Sequence, residues 1–328
     1  MSSQRLNIAL DSGSVVLPAE GRIVVFRPKA GFDLAALGRE RVHVVQSFRP
    51  DHDAFEMAGY STGAEADGDY AAALVCVTRS KAENRALICQ ARSLTNGPIL
   101  VDGQKTDGIE SLLREIRKRA DVGEVMSKAH GKLFVVTGGD FADWAEVALP
   151  RVDGRFETSL GVFSADGVDP GSAALVAALP DKLPKRIADL GAGWGYLADA
   201  ILARAGVEEL HLVEAEKRSL DCARRNLDDP RAQFHWADAT HFDAAEPFDA
   251  VIMNPPFHQS RAAEPSLGRA FIASAARLLK PAGQLWMVAN RHLPYGAAAG
   301  ELFRDVEEIA GDNRFKILHA SKPRRGRG

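Results

Sequence analysis

The chain has 328 residues, enough for two domains of ordinary size, and 46% hydrophobic against 26% charged residues supports packed cores rather than general disorder. Net charge is −3, with 18 Lys/Arg against 20 Asp/Glu in residues 1–150 and 23 against 24 in residues 151–328, so neither half is a basic domain and a nucleic-acid partner would have to be met by a local surface. Cys76, Cys89 and Cys222 form no CxxC pair, which argues against a zinc site or a disulfide framework. No basic-then-apolar leader and no apolar run of about 18 residues occurs, so a cytoplasmic chain without membrane spans or metal is expected.

In chain order, Ile23–Phe26, Val42–Val45 and 71–77 read as strands. A helix is predicted over Lys81–Leu94, a strand over 98–101, a helix over 108–120 and a strand over 132–136. Pro150, Asp153 and Gly154 then interrupt the pattern. A second series follows: strands at Arg186–Leu190, Glu209–Glu214, 233–236, Phe248–Met253 and 284–289, with helices at 196–205, 217–227 and 266–280 between them. A helix over 298–309 and a strand over 315–319 end the series. Short apolar runs alternating with amphipathic stretches predict a doubly wound parallel sheet of the Rossmann-like α/β class. The fainter rhythm of the first half predicts a duplication, with domains at 1–152 and 153–328. Chemistry is expected only in the second. Arg27-Pro28-Lys29 follows the first strand, where a glycine turn would stand, and Thr78-Arg79-Ser80 is taken as the counterpart of Asn254-Pro255-Pro256.

Two stretches of the second half carry that chemistry. Asp189-Leu190-Gly191-Ala192-Gly193-Trp194-Gly195 joins a strand to a helix, and glycines there let the backbone approach a ligand. A dinucleotide fingerprint would place its third glycine at 196, which is Tyr196. Glu214 ends the next strand, where an acid can take ribose hydroxyls, and Asp238 ends the third, where a carboxylate can meet an adenine amino group. Asn254-Pro255-Pro256-Phe257 ends the fourth. Two prolines cannot extend a strand, so the chain turns there. The elbow presents an amide, proline-flanked carbonyls and an aromatic ring, a set able to hold and stack a planar amino-bearing group.

Asn-Pro-Pro-Phe in this place resembles the motif of methyltransferases that modify exocyclic or amide nitrogens with S-adenosylmethionine (SAM), and Gly-x-Gly-x-Gly resembles their cofactor turn. Further segments narrow the likeness. They are Gly161-Val162-Phe163-Ser164, Asp166-Gly167-Val168-Asp169, Gly171-Ser172, His258, Val288-Ala289-Asn290, Leu293-Pro294-Tyr295 and Arg314-Phe315-Lys316. Together they resemble the ribosomal RNA small-subunit methyltransferase C (RsmC) type, with a sister RlmG type acting on 23S rRNA. The resemblance covers nearly all of residues 157–320 and departs from the pattern at Trp194, a bulky residue in the glycine loop.

It implies two tandem class I methyltransferase domains, the first degenerate, without a cofactor site, and serving RNA recognition or folding. It implies methyl transfer to guanine N2 of rRNA, 16S rRNA in the 30S subunit first and 23S rRNA next, by a monomer. DNA adenine-N6 and protein glutamine-N5 transfer use the same motif, and a non-catalytic RNA-binding assembly factor is the reading outside enzymes. Cofactor contacts are expected from Phe163, Ser164, Asp189, Gly191, Gly193, Gly195, Glu214, Asp238 and Asn254, and acceptor contacts from Asn254, Pro255, Pro256 and Phe257. His258 reads as a base or as a helix-entry or polar-rim residue, and Asn290 and Tyr295 as residues that bound the pocket or cap the fold. Six basic residues and no acid in 314–328 form a tail that either touches phosphates or is solvated.

Overall fold

The computed structural model describes residues 4–256 and 265–324, and the chain divides into two compact units, 1–148 and 149–328. The first unit opens with α1 (Gln4–Asp11), β1 (Ile23–Phe26), β2 (Val42–Val45), α2 (Arg49–Met57) and β3 (Ser61–Gly63). It continues through β4 (Ala72–Cys76), α3 (Lys81–Leu94), β5 (Ile99–Gln104) and α4 (Ile109–Ile116) to β6 (Asp121–Val122), β7 (Met126–Lys128) and β8 (Gly131–Thr137). The strands lie in the order β3-β2-β1-β4-β5-β8-β6, with β7 also on β8. β1 to β5 are parallel and β8 runs antiparallel to β5. Helix α3 starts where Ser80 accepts the Glu83 N–H and buries Leu87, Ile88 and Ala91 against the sheet.

The second unit contains α5 (Pro170–Ala178), β9 (Arg186–Leu190), α6 (Tyr196–Leu202), β10 (Glu209–Glu214), α7 (Lys217–Asn226) and β11 (Ala232–Trp236). Then come β12 (Phe248–Met253), α8 (Pro265–Leu278), β13 (Leu279–Asn290), α9 (Tyr295–Leu302), β14 (Phe303–Gly311) and β15 (Phe315–Pro323). Its order, β11-β10-β9-β12-β13-β15-β14, repeats the first unit place for place. Both units are therefore Rossmann-like. Each central strand buries both faces, as parallel strands must when helices cover both sides. Along β12, Ala250 and Ile252 pack with α5, α6 and α7, while Val251 and Met253 pack with α8 and α9.

Sheet register equates the two units residue by residue. Phe26 pairs with Val45 and Val75 as Leu190 pairs with Val213 and Met253. The Arg27 N–H then donates to the Val45 carbonyl at 2.9 Å, as Gly191 does to Val213 at 2.8 Å. Arg27 even keeps the left-handed backbone, φ 56° beside 76° at Gly191. Gln46 stands level with Glu214. Cys76-Val77-Thr78 stands level with Asn254-Pro255-Pro256, so the expected equivalence at Thr78-Arg79-Ser80 lies two residues too far along; motif spacing carries no register.

Three local expectations change. Residues 303–311 form a strand, not the end of a helix. The apolar spacing Phe303, Val306, Ile309 mimics a helical face, but the free edge of β15 takes the segment as an antiparallel partner. Arg304, Asp305, Glu307 and Glu308 then lie exposed along this outermost strand, as suits a protected sheet edge. Of the basic segment 314–328, Phe315–Pro323 form β15, inserted between β13 and β14, and residues 325–328 lie outside the described residues. The Ala-rich α5 was not expected, since it has no polar face to give a period. Among the described residues no helix is long and apolar enough to cross a membrane.

Candidate active site

Strand order reverses between β9 and β12, and ligands of open α/β sheets bind at the carboxyl ends of strands flanking such a switch. The glycine loop leaves β9 there and the Asn254 elbow leaves β12. A Cβ at Gly191 would lie 4.0 Å from the Asn254 carbonyl oxygen, so the two segments nearly touch. Gly193 has φ 57° and would meet nothing within 4 Å, so its backbone faces open space. Gly195 has a different use. At φ 96° it caps α6, and a Cβ would press within 3.2 Å of Leu227 and 3.3 Å of Ala223.

The cleft is lined by Phe163, Ser164, Asp169, Ser172, Gly191, Ala192, Gly193, Trp194, Tyr196, Leu197 and Asn254. Of the expected site residues it thus joins Phe163, Ser164, Gly191, Gly193 and Asn254. Phe163 is 63% exposed at the mouth, and Ser164 takes φ 51°. Trp194 causes no crowding. It is buried, its ring packs on Phe156 at 5.1 Å and Tyr196 at 5.8 Å, and its indole N–H donates to the Phe163 carbonyl at 3.0 Å. The bulky residue thereby ties the Phe163 segment to the glycine loop.

The acids divide into three environments. Glu214 accepts the Gly193 N–H at 2.8 Å and the Glu216 N–H at 2.7 Å, holding the loop open from behind. Asp238 lies apart from the cleft lining and is engaged by Thr240 and His241; burial pushes its carboxyl up, but these hydrogen bonds outweigh it and hold the group below the ordinary range. Asp189 is fully buried, and neither carboxyl oxygen has a partner among the described residues. Burial, then the nearby Glu214 charge, push it up to about 8. Asp189 and Glu214 lie below the glycine loop, where a ligand carrying positive charge, as SAM does with its ammonium and sulfonium groups, would favour their ionised forms.

A pH dependence follows. Between the ordinary carboxylate range and about pH 8, folded Asp189 binds a proton that the unfolded chain has released. Stability of the SAM-free protein should therefore fall as pH rises through that interval. Thermal melting at several pH values should show a shallower fall for Asp189→Asn; equal slopes would remove Asp189 as the cause.

At the elbow, Pro255 is buried and Pro256 exposed. Phe257 and His258 lie outside the described residues. The half-buried Asn254 side chain donates through Nδ2 to Asp169 Oδ2 at 2.9 Å and to Ser172 Oγ at 2.8 Å. With both N–H groups used, Oδ1 is the amide atom that remains to accept from a substrate. Asp169 and Ser172 were not among the expected site residues. The signal for them was a helix start, an Asp N-cap with Pro170 at N1, whose Oδ2 also accepts the Ser172 N–H at 2.8 Å. Tyr295 is wholly buried in the core, its ring filling the space over Gly268, so it supports the fold rather than the pocket.

The duplicated doubly wound sheet, with a glycine turn and an acid-backed cleft at its switch point, defines a class I methyltransferase that takes its methyl group from SAM. Residues 153–319 match the family model described as methyltransferase small domain. The ribosomal RNA small subunit methyltransferase C of Hahella chejuensis is 30% identical over 231 residues, covering 66% of this chain and 67% of that protein. The ribosomal RNA large subunit methyltransferase G of Ectopseudomonas mendocina is 37% identical over 166 residues, covering 49% of this chain but only 44% of the relative. A solved RsmC, the 16S rRNA N2 methyltransferase of T. Thermophilus in complex with AdoMet and guanosine, shares the fold at a TM-score of 0.79 and 24% identity, over 95% of this chain and 91% of that one. This chain belongs to the methyltransferase small-domain family, in its RsmC/RlmG group.

Proposed function

We propose that this chain methylates the exocyclic N2 amino group of a guanine in ribosomal RNA, the 16S species, using the cleft between the glycine loop and Asn254. The observation that carries the reading is the Asn254 amide at the cleft, whose N–H groups are both engaged, leaving Oδ1 as its acceptor. Guanine enters flipped out of its helix. Oδ1 of Asn254 and the Pro255 carbonyl accept its two N2 protons, which sets the nitrogen lone pair across the base plane toward the cofactor side. SAM supplies an electrophilic methyl group, and methyl transfer depends mainly on such positioning. The nitrogen then sheds its extra proton to water without needing a strong base. Phe257 stacks on the base, a contact worth about 1–3 kcal/mol.

The 37% identity to the large-subunit relative over 166 residues favours 23S rRNA as a second reading. Offering 30S particles, 50S particles and naked rRNAs with labelled SAM, then mapping the methylated guanine, decides between them. Label on 16S rRNA supports the proposal; label on 23S rRNA moves the substrate to the large subunit, and label on neither overturns both.

The first unit, in this reading, binds no cofactor, works as part of a monomer and aids RNA recognition or folding. The Arg27 side chain supports the lack of a cofactor: it contacts Glu83 at 3.3 Å, Gln46 at 3.1 Å and Ser47 at the place corresponding to the cleft. Calorimetry should count one SAM per chain. Two equivalent sites would refute the assignment.

A further inference from the structure

We infer that Asp169 is a positioning residue for Asn254, fixing which way its amide faces and strengthening Oδ1 as an acceptor. The inference rests on the acceptor role proposed for Asn254. An asparagine amide has a broad, nearly two-fold torsion, so an untethered Asn254 would offer N–H groups to the substrate about as readily as oxygen. Donors facing an amino group would repel it. Asp169 and Ser172 remove that freedom, because turning the amide over would set Oδ1 against the Asp169 carboxylate. A hydrogen bond to a carboxylate is roughly twice as strong as one between neutral groups, and it draws electron density through the amide toward its oxygen.

Asp169 is itself fixed before any substrate arrives. Its Oδ2 accepts the Ser172 N–H as the N-cap of α5, and Pro170 sets the first turn. Gly171 leaves the space it needs, since a Cβ there would fall 3.0 Å from Asp169 Oδ2 and 3.3 Å from the Phe315 ring. One carboxylate oxygen therefore both starts a helix and aims an amide 85 residues away. A different role is open to the same group: lining the cleft, it can contact a cationic ligand directly. The two roles separate in binding and turnover.

The test compares Asp169→Ser, Asp169→Asn, Ser172→Ala and Asn254→Ala in the full chain, measuring thermal melting, SAM affinity, and kcat and KM on the RNA methylated by the wild type. Serine keeps an N-cap but is too short to reach Asn254. Asp169→Ser should melt near the wild type, bind SAM unchanged, and lose about 10–100-fold in kcat with KM little moved. Asp169→Asn keeps an oxygen in place without the charge and should recover part of that loss. Ser172→Ala removes one hold without touching the carboxylate and should lower kcat alone, which keeps the test informative even if Asp169→Ser folds poorly. Unchanged kcat in Asp169→Ser and Ser172→Ala overturns the inference. So does weakened SAM binding with kcat intact at saturation, which would make Asp169 a ligand contact. Wild-type turnover by Asn254→Ala would instead defeat the acceptor reading itself.

Discussion

Asn254→Ala should lose roughly 10²–10³-fold in kcat, equivalent to about 3–4 kcal/mol of transition-state stabilisation, while binding SAM as the wild type does. The expectation follows from where the amide sits. It leaves β12 at the switch point, its N–H groups are tied down, and its backbone carbonyl nears the glycine loop without the side chain holding that loop. Glu214 holds the loop instead, through the Gly193 N–H. Calorimetry and single-turnover kinetics separate the two functions. A variant that loses SAM affinity in proportion to rate would show that the amide serves the cofactor, and one with undiminished rate would show that it serves neither.

The largest stability effect is expected in the first unit. Arg5 of α1 is wholly buried, donating to Asp102 Oδ1 at 2.7 Å and Oδ2 at 2.9 Å and to the Lys128 carbonyl at 3.0 Å. Burial raises the Asp102 carboxyl even with Arg5 against it. Arg5→Leu strands that charge, at a cost of about 3–5 kcal/mol, and should lower the melting temperature of the first unit by roughly 10–15 °C. The deficit should shrink toward acid pH, where a raised carboxyl takes up a proton in the folded state before the unfolded chain does. Replacing both partners by leucine should restore most of the loss, because a buried pair is often matched by well-packed apolar side chains. A single variant that melts like the wild type would mean that water or a neighbour neutralises Asp102.

Much of this fold was legible in apolar runs. The strands Arg186–Leu190, Glu209–Glu214 and Phe248–Met253 have the bounds expected of them, because a strand buried on both faces is a continuous apolar run ended by glycine, charge or proline. Other elements were hidden for physical reasons. Helix α5 is small and apolar all round, and β14 carries its apolar residues at helical spacing and is decided by its neighbour. In the site, the glycine turn and the elbow were visible because backbone chemistry confines residue choice locally. The partners of Asn254 were not, since Asp169 and Asn254 are far apart in sequence and no local pattern links them. Asp238 shows the converse: its place at a strand end suggested an open carboxylate, while Thr240 and His241, a turn away, already engage it.

The position of the last strand in each sheet sets a schedule for synthesis. β8 is the final strand of its unit but lies between β5 and β6, and β15 likewise lies between β13 and β14. A ribosome delivers residues in order, at about 5–20 per second, so β5 and later β13 emerge with one edge bare and wait for a strand not yet released. The waiting edge of β13 spans Gln284–Asn290, the seven residues that β15 later covers, and is open meanwhile to mispairing with another nascent chain. A chain released just before residue 131 or residue 315 would thus carry a bare strand edge open to aggregation, although at the second of those points every residue lining the cleft is already present.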